Sequence, residues 1–137
     1  QPQLRAGQRL CLLSGGETTV TVTGAGKGGR NQELALAFAL EIADSTGICL
    51  LSAATDGSDG PTDAAGAFVD GALAARARGL GLEPLSYLHD NDSYEFFRRY
   101  DELSGEHSHF KSGPTGTNVM DIQLILLEAP PDAGQRQ

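Results

Sequence analysis

The stretch GICLLSAATDGSDGPTDAAG, residues 47–66, governs how the rest of the chain is read. Its first half holds ICLLSA (48–53), a continuous apolar run of strand length. Where one face of a sheet meets water, apolar and polar residues alternate. An uninterrupted run therefore predicts a central strand covered on both faces, the pattern of α/β folds. The second half sets Asp56, Asp59 and Asp63 among glycines 57, 60 and 66. A strand that ends on acid and glycine is a decorated turn, a calcium loop, or part of a phosphate and magnesium site.

Working outward, RLCLLSGGETTVTVTG predicts two short strands, about 9–14 and 18–23, turning at Gly15 and Gly16. NQELALAFALEIADSTG predicts a helix over about 31–45, with Asn31 as its cap and burial on more than one side. TDAAGAFVDGALAARARGLG (62–81) reads as helical with a soft point at Gly71, and Pro84 as a stop signal beyond it. DSYEFFRRYDEL reads as a further helix. Asp92 and Glu95 form a capping-box variant there, and Phe96, Phe97, Tyr100 and Leu103 share one face. HSHFK and DIQLILLEA supply two late strands. The alternation of strands and helices predicts a single α/β domain: a mixed β-sheet covered by helices, with Gly-rich loops at strand ends. The expected boundaries are a linker at 1–8, the domain at 9–128 and a flexible tail at 129–137, as in a segment of a longer protein.

Ten Lys plus Arg stand against eighteen Asp plus Glu, a formal charge of −8. That balance repels nucleic acid and anionic membrane alike, so neither is an expected partner. The sequence has no apolar run long enough to span a bilayer, and a cytoplasmic setting is the expectation. Cys11 and Cys49 lie in apolar runs without metal-ligand spacing and read as buried reduced thiols. His107 and His109 share a strand face but lack a third zinc ligand.

Three segments share one design, an extended run followed by a glycine-rich polar loop: TGAGKGGRNQE (23–33), TDGSDGPTDAAG (55–66) and SGPTGTNVMD (112–121). Loops of this kind gather beyond the ends of sheet strands, so the three point to one shared site. In the first, Gly24, Gly26, Gly28 and Gly29 let backbone N–H groups approach an anion, and the helix opening at Asn31 adds a positive dipole end. Lys27 and Arg30 are the only cationic side chains between Arg9 and Arg76. No hydroxyl follows Lys27, so the loop is not a Walker A motif. The acidic loop fails the EF-hand template, because Ala67 stands where position twelve needs Glu. Magnesium, content with one or two carboxylates plus phosphate and water, suits it better. The structural alternative is a turn plus cap, with Asp59 or Thr62 capping. In the third loop Thr115, Thr117 and Asn118 offer small polar groups ahead of Asp121.

Together SGGETTVTVTGAGKGGRNQELALAFAL, TDGSDGPTDAAGA, HDNDSYEFF and GPTGTNVMD resemble, in order, the MOFRL domain that ends type II glycerate kinases. The resemblance implies a parent enzyme that moves the γ-phosphoryl of ATP to glycerate, most simply at the 2-position, with Mg2+ and a partnering N-terminal domain. Through it Arg30 and Asp56 are implied as catalytic residues. Glu17, Lys27, Gly28, Gly29, Asn31, Thr115, Thr117, Asn118 and Asp121 are implied as substrate or nucleotide contacts, and Asp56, Asp59 and Asp63 as metal ligands. The isolated domain is expected to be inactive. The competing expectations are a non-catalytic docking or lid module, or part of a hydroxypyruvate reductase.

Overall fold

The computed structural model describes residues 4–131, so the first three residues of the expected linker and residues 132–137 of the expected tail lie outside it. In chain order the elements are β1 (Arg9–Gly16), α1 (Arg30–Glu41), β2 (Ile48–Ala54), β3 (Gly66–Asp70), α2 (Leu73–Gly79), α3 (Pro84–His89), α4 (Ser93–Ser104), β4 (His109–Phe110) and β5 (Asp121–Glu128). The strands form one sheet in the order β1-β5-β2-β3-β4. It is an α/β domain, and β2 is central as its apolar run requires. All four described pairings are antiparallel, where a mixed sheet was expected.

The helices cover one face only. α1 packs on β2 and β3 and, on its other side, against α3 and α4, which is why it is apolar nearly all round. Its Ala35, Leu36 and Ala39 meet Leu50, Ala67 and Val69 from the sheet and Phe96, Phe97 and Tyr100 from α4. The three aromatics are wholly buried, and Phe96 and Phe97 meet edge to face at 5.1 Å. Each such ring contributes roughly 1.5–3 kcal/mol through burial. Leu103, expected on the same stripe, is half-exposed instead.

Four expectations give way. Residues 66–70 form a strand although Ala-rich flanks suggested a helix. Ala67 and Val69 point into the core and Phe68 away, a period of two hidden by alanine's helix propensity. Gly66 is required there, because a β-carbon would overlap the carbonyl of Ser52. Residues 18–23 pair with no strand among the described residues, and the strand expected over 107–111 shrinks to His109–Phe110. Pro84 opens α3 rather than merely stopping a helix, with Glu83 accepting from the Leu85 N–H.

Candidate functional site

Antiparallel register brings the loops together. Asp121, first residue of β5, faces both Gly16 at the end of β1 and Ala54 at the end of β2. One end of the sheet therefore carries the exits of β1 and β2, the entry to β5 and, through the loop at 23–29, the start of α1. All three glycine-rich loops lie at this end, with the acidic loop between the other two.

The helix start is not an open anion cradle. Its first turn is filled by Asp59, a fully buried carboxylate that caps α1 from a distant loop. Oδ1 accepts from the Asn31 backbone N–H at 3.0 Å and from Asn31 Nδ2 at 3.1 Å, while Oδ2 accepts from the Gln32 N–H at 2.9 Å and from Gln32 Nε2 at 3.0 Å. The network continues outward. Ser52 Oγ donates to Asn31 Oδ1 at 2.7 Å, and His109 Nε2 lies 2.7 Å from Gln32 Oε1. Desolvation, the largest cause, lowers the His109 pKa to about 4, so the neutral ring donates Nε2–H to the amide. Asn31 was expected as the cap itself. It sits one residue inside the helix, behind Gly29, which makes no side-chain cap. Gly29 is glycine because a β-carbon would overlap the Asp59 carboxyl group.

The first loop also differs from the expectation. Its Gly24 N–H donates to Asn91 Oδ1, its Gly26 N–H to the Asp90 carbonyl and its Lys27 N–H to Asp92 Oδ1. Glycine there allows close packing against the turn at 90–93 rather than a free anion nest. Asp92 is the N-cap residue of α4 as expected, but its side chain makes no capping bond there and accepts from the Lys27 N–H instead. The N–H groups of Gly28, Gly29 and Arg30 donate no hydrogen bond among the described residues. They border a cavity of about 400 Å³ lined also by Val22, Lys27, Gly60 and Pro61.

Arg30 and Asp121, predicted as separate contacts, form one unit. The guanidinium donates Nε to Oδ2 at 2.5 Å and Nη2 to Oδ1 at 2.8 Å, a two-pronged pair. Hydrogen bonding to Asp121 holds the Arg30 pKa above its ordinary value. Asp121 is wholly buried, but the Arg30 side chain is 26% exposed, and Nη1 lies 3.8 Å from Glu17 Oε1. The buried acid aims the arginine. Its outer edge remains at the surface.

A family model, described as the MOFRL family, matches residues 10–121. The chain belongs to the MOFRL family. Among its relatives, a glycerate kinase of Danio rerio is 48% identical over 88% of this chain and 24% of its own length. A D-glycerate 2-kinase of Thermotoga maritima is 48% identical over 85% of this chain and 26% of its own. The crystal structure of a Thermotoga maritima glycerate kinase superposes with a TM-score of 0.79 at 47% identity, covering 85% of this chain and 27% of that one. A Pyrococcus horikoshii protein gives 0.74 at 41%, covering 88% of this chain and 26% of that one. The chain thus spans about a quarter of the length of the relatives it matches.

In this MOFRL chain the acidic loop divides. Asp56 stays at the rim, taking the Ser58 N–H at 3.0 Å and lying 3.5 Å from Asn118 Nδ2. The third loop locks onto the same turn. Thr115 Oγ1 donates to the Thr55 carbonyl, and the Thr117 carbonyl at 3.2 Å and N–H at 3.4 Å lie beside the same hydroxyl. Asp63 lies apart, where Tyr94 donates to it at 2.7 Å and Lys111 at 3.2 Å, and these two bonds lower its pKa. Lys27 sits over the Tyr94 ring, 4.3 Å from its centroid.

The three predicted metal ligands do not converge: four N–H groups of Asn31 and Gln32 fill Asp59, and Asp63 is turned to Tyr94 and Lys111 at the surface. Among the described residues no three His, Cys, Asp or Glu side chains form a metal cluster. Arg30, Asp121, Glu17 and Asn31 are brought together with Gly28 and Gly29; Asp56, Thr115, Thr117 and Asn118 form a neighbouring rim. Sequence reading missed Gln32, Ser52 and His109. Two adjacent amides in a helix's first turn were the available signal, since buried amides need distant partners.

Proposed function

We propose that this chain is the C-terminal cleft-forming domain of an ATP-dependent glycerate kinase, phosphorylating glycerate at the 2-position. The observation that carries the reading is the gathering of three polar loops on the Arg30–Asp121 pair, in a chain whose relatives are named glycerate kinase and D-glycerate 2-kinase. Phosphoryl transfer asks mainly for positioning and for neutralisation of negative charge. Arg30, held in plane by Asp121, presents its outer edge to a phosphate or to the glycerate carboxylate. The unpaired N–H groups of Gly28, Gly29 and Arg30 are the backbone donors for the same anion.

The residues suit magnesium carried in with the nucleotide. Asp56 is the loop acid still at the rim, Asn118 lies beside it, and one carboxylate with phosphate and water meets magnesium's preference. When bound, the ion would neutralise charge on the phosphates. The remaining half of the cleft, including any further catalytic group, belongs in this reading to an N-terminal domain of the same cytosolic enzyme.

A second reading, a module that only shapes or closes the cleft, is favoured by one observation: Asp59, Asn31 and the N–H groups of Thr23, Gly24, Gly26 and Lys27 are satisfied internally. Amide NMR of the 137-residue chain, titrated with ATP, magnesium and glycerate, separates the two. The kinase reading expects shifts at Gly28, Gly29, Arg30, Asp56 and Thr115. A spectrum that stays still at all five would leave only the scaffold.

A further inference from the structure

The sheet has two apolar faces and helices on only one of them. Register places Leu13, Leu124, Leu51 and Phe68 side by side in one row across four strands, on the face away from α1. The next row holds Cys11, Leu126 and Cys49 and ends on Asp70. Leu13 is 71% exposed, Leu126 50% and Phe68 43%. Scattered exposed leucines are ordinary on a protein surface, but a contiguous apolar row is not. An antiparallel sheet that keeps one face in water carries polar residues along it, and here Arg9, Glu128 and Asp70 stand only at one end, leaving the Leu13–Phe68 row apolar throughout. The unbroken run ICLLSA predicts cover on both sides of β2, yet the described residues supply it on one.

A hollow adjoins this face. A cavity of about 510 Å³ cuts into the end of the sheet opposite the polar loops, where Cys11, Cys49 and Leu126 of this face meet Ile48 and Leu127 of the other, beside the exposed Arg9–Glu128 pair. A hollow of this kind receives protruding side chains. Two copies of a flat, hollowed face offer each other no knob to fill it, and each copy carries a formal charge of −8, which opposes self-association. The relatives, by contrast, hold about three-quarters of their length outside the matched segment. That is ample chain for a covering layer.

We infer that this open sheet face is the docking surface for the companion part of the enzyme, which lays an apolar layer over the Leu13–Phe68 row and seats side chains in the hollow beside Cys11. The inference rests on the kinase reading for the existence of that companion, but not for what the polar loops do. Docking on the sheet's face, with the hollow at the end away from the loops, would fix the companion's orientation while leaving the cleft free for substrate.

The chain's two cysteines, both on this face, report on it directly. The full-length enzyme and the 137-residue chain are each treated with a short pulse of N-ethylmaleimide, and labelling of Cys11 is followed by peptide mass spectrometry. Cys11 of the chain alone is expected to react as a free surface thiol, and in the full-length enzyme at least ~50-fold more slowly. Equal rates in the two would overturn the inference. So would slow labelling of the chain alone together with a doubled mass in sedimentation, since a second copy would then be the occupant. Glycerate phosphorylation is measured on the same preparation. A protected Cys11 in an enzyme that does not phosphorylate glycerate upholds the docking face while sinking the kinase reading; a reactive Cys11 in an active enzyme does the reverse.

Discussion

Asp59 and Asp121 are both wholly buried carboxylates at the same end of one sheet, and they are held in opposite ways. Four neutral N–H groups of Asn31 and Gln32 surround Asp59, so its charge is matched by a helix N-terminus that is itself buried. A single guanidinium matches Asp121, and that guanidinium reaches the surface. The first arrangement ties a loop to a helix and ends there. The second transmits a fixed direction to a cation that a ligand can touch. Burial of an acid is therefore no guide to its role; the exposure of its partner is.

Removing Asp59 should have the largest consequence. Asp59→Ala leaves α1 uncapped and its amides without an acceptor, with an expected loss of about 3–5 kcal/mol in denaturant unfolding. A loss below about 1 kcal/mol would mean that solvent or a neighbouring group replaces the carboxylate, and the contrast with Asp121 would weaken. Asp121→Asn should cost less, about 1–3 kcal/mol, because the orphaned Arg30 can turn towards water.

Acidification should then act through the Asp59 network rather than through Arg30. His109 has its pKa lowered from 6.5 to about 4 by burial, so the unfolded chain binds the extra proton first. Stability contributed by the neutral ring is complete above about pH 6.5 and declines as the pH falls towards about 4. Urea midpoints measured across that window should drop steadily in the parent chain and less in His109→Gln; parallel curves would remove His109 from the account. The smallest effect is expected at Asp63. Its contacts with Tyr94 and Lys111 lie at the surface, so Asp63→Asn should change stability by no more than about 0.5 kcal/mol.

How much of this was legible beforehand depends on which forces set each part. The central strand, α1, α4 and the last strand could be read because an apolar run or a helical stripe reports burial directly. The short strand at 66–70 could not, since Ala67 and Gly66 carry little β signal and only their pairing with β2 makes them a strand. The loops were legible as a group. Their internal assignments were not, because sequence shows which donors and acceptors exist but not which meet. Thus Arg30 and Asp121, 91 residues apart, looked like two ligand contacts and proved to be one pair. Asp59, read as a metal ligand or a cap, holds a helix 28 residues upstream. The glycines at 24 and 29 suggested room for phosphate, and instead they admit the Asp90 carbonyl and the Asp59 carboxyl group.

The central claim is that Arg30 is aimed by Asp121 to hold an anion during transfer to glycerate. It is tested most directly by steady-state kinetics of the full-length enzyme carrying Arg30→Lys, with the melting temperature followed alongside. Lysine keeps the charge but cannot make the two-pronged pair, so kcat/KM for glycerate should fall at least ~10-fold while the melting temperature moves by only a few degrees. Unchanged kinetics in a folded Arg30→Lys enzyme would contradict it, and the pair would then be structural like Asp59.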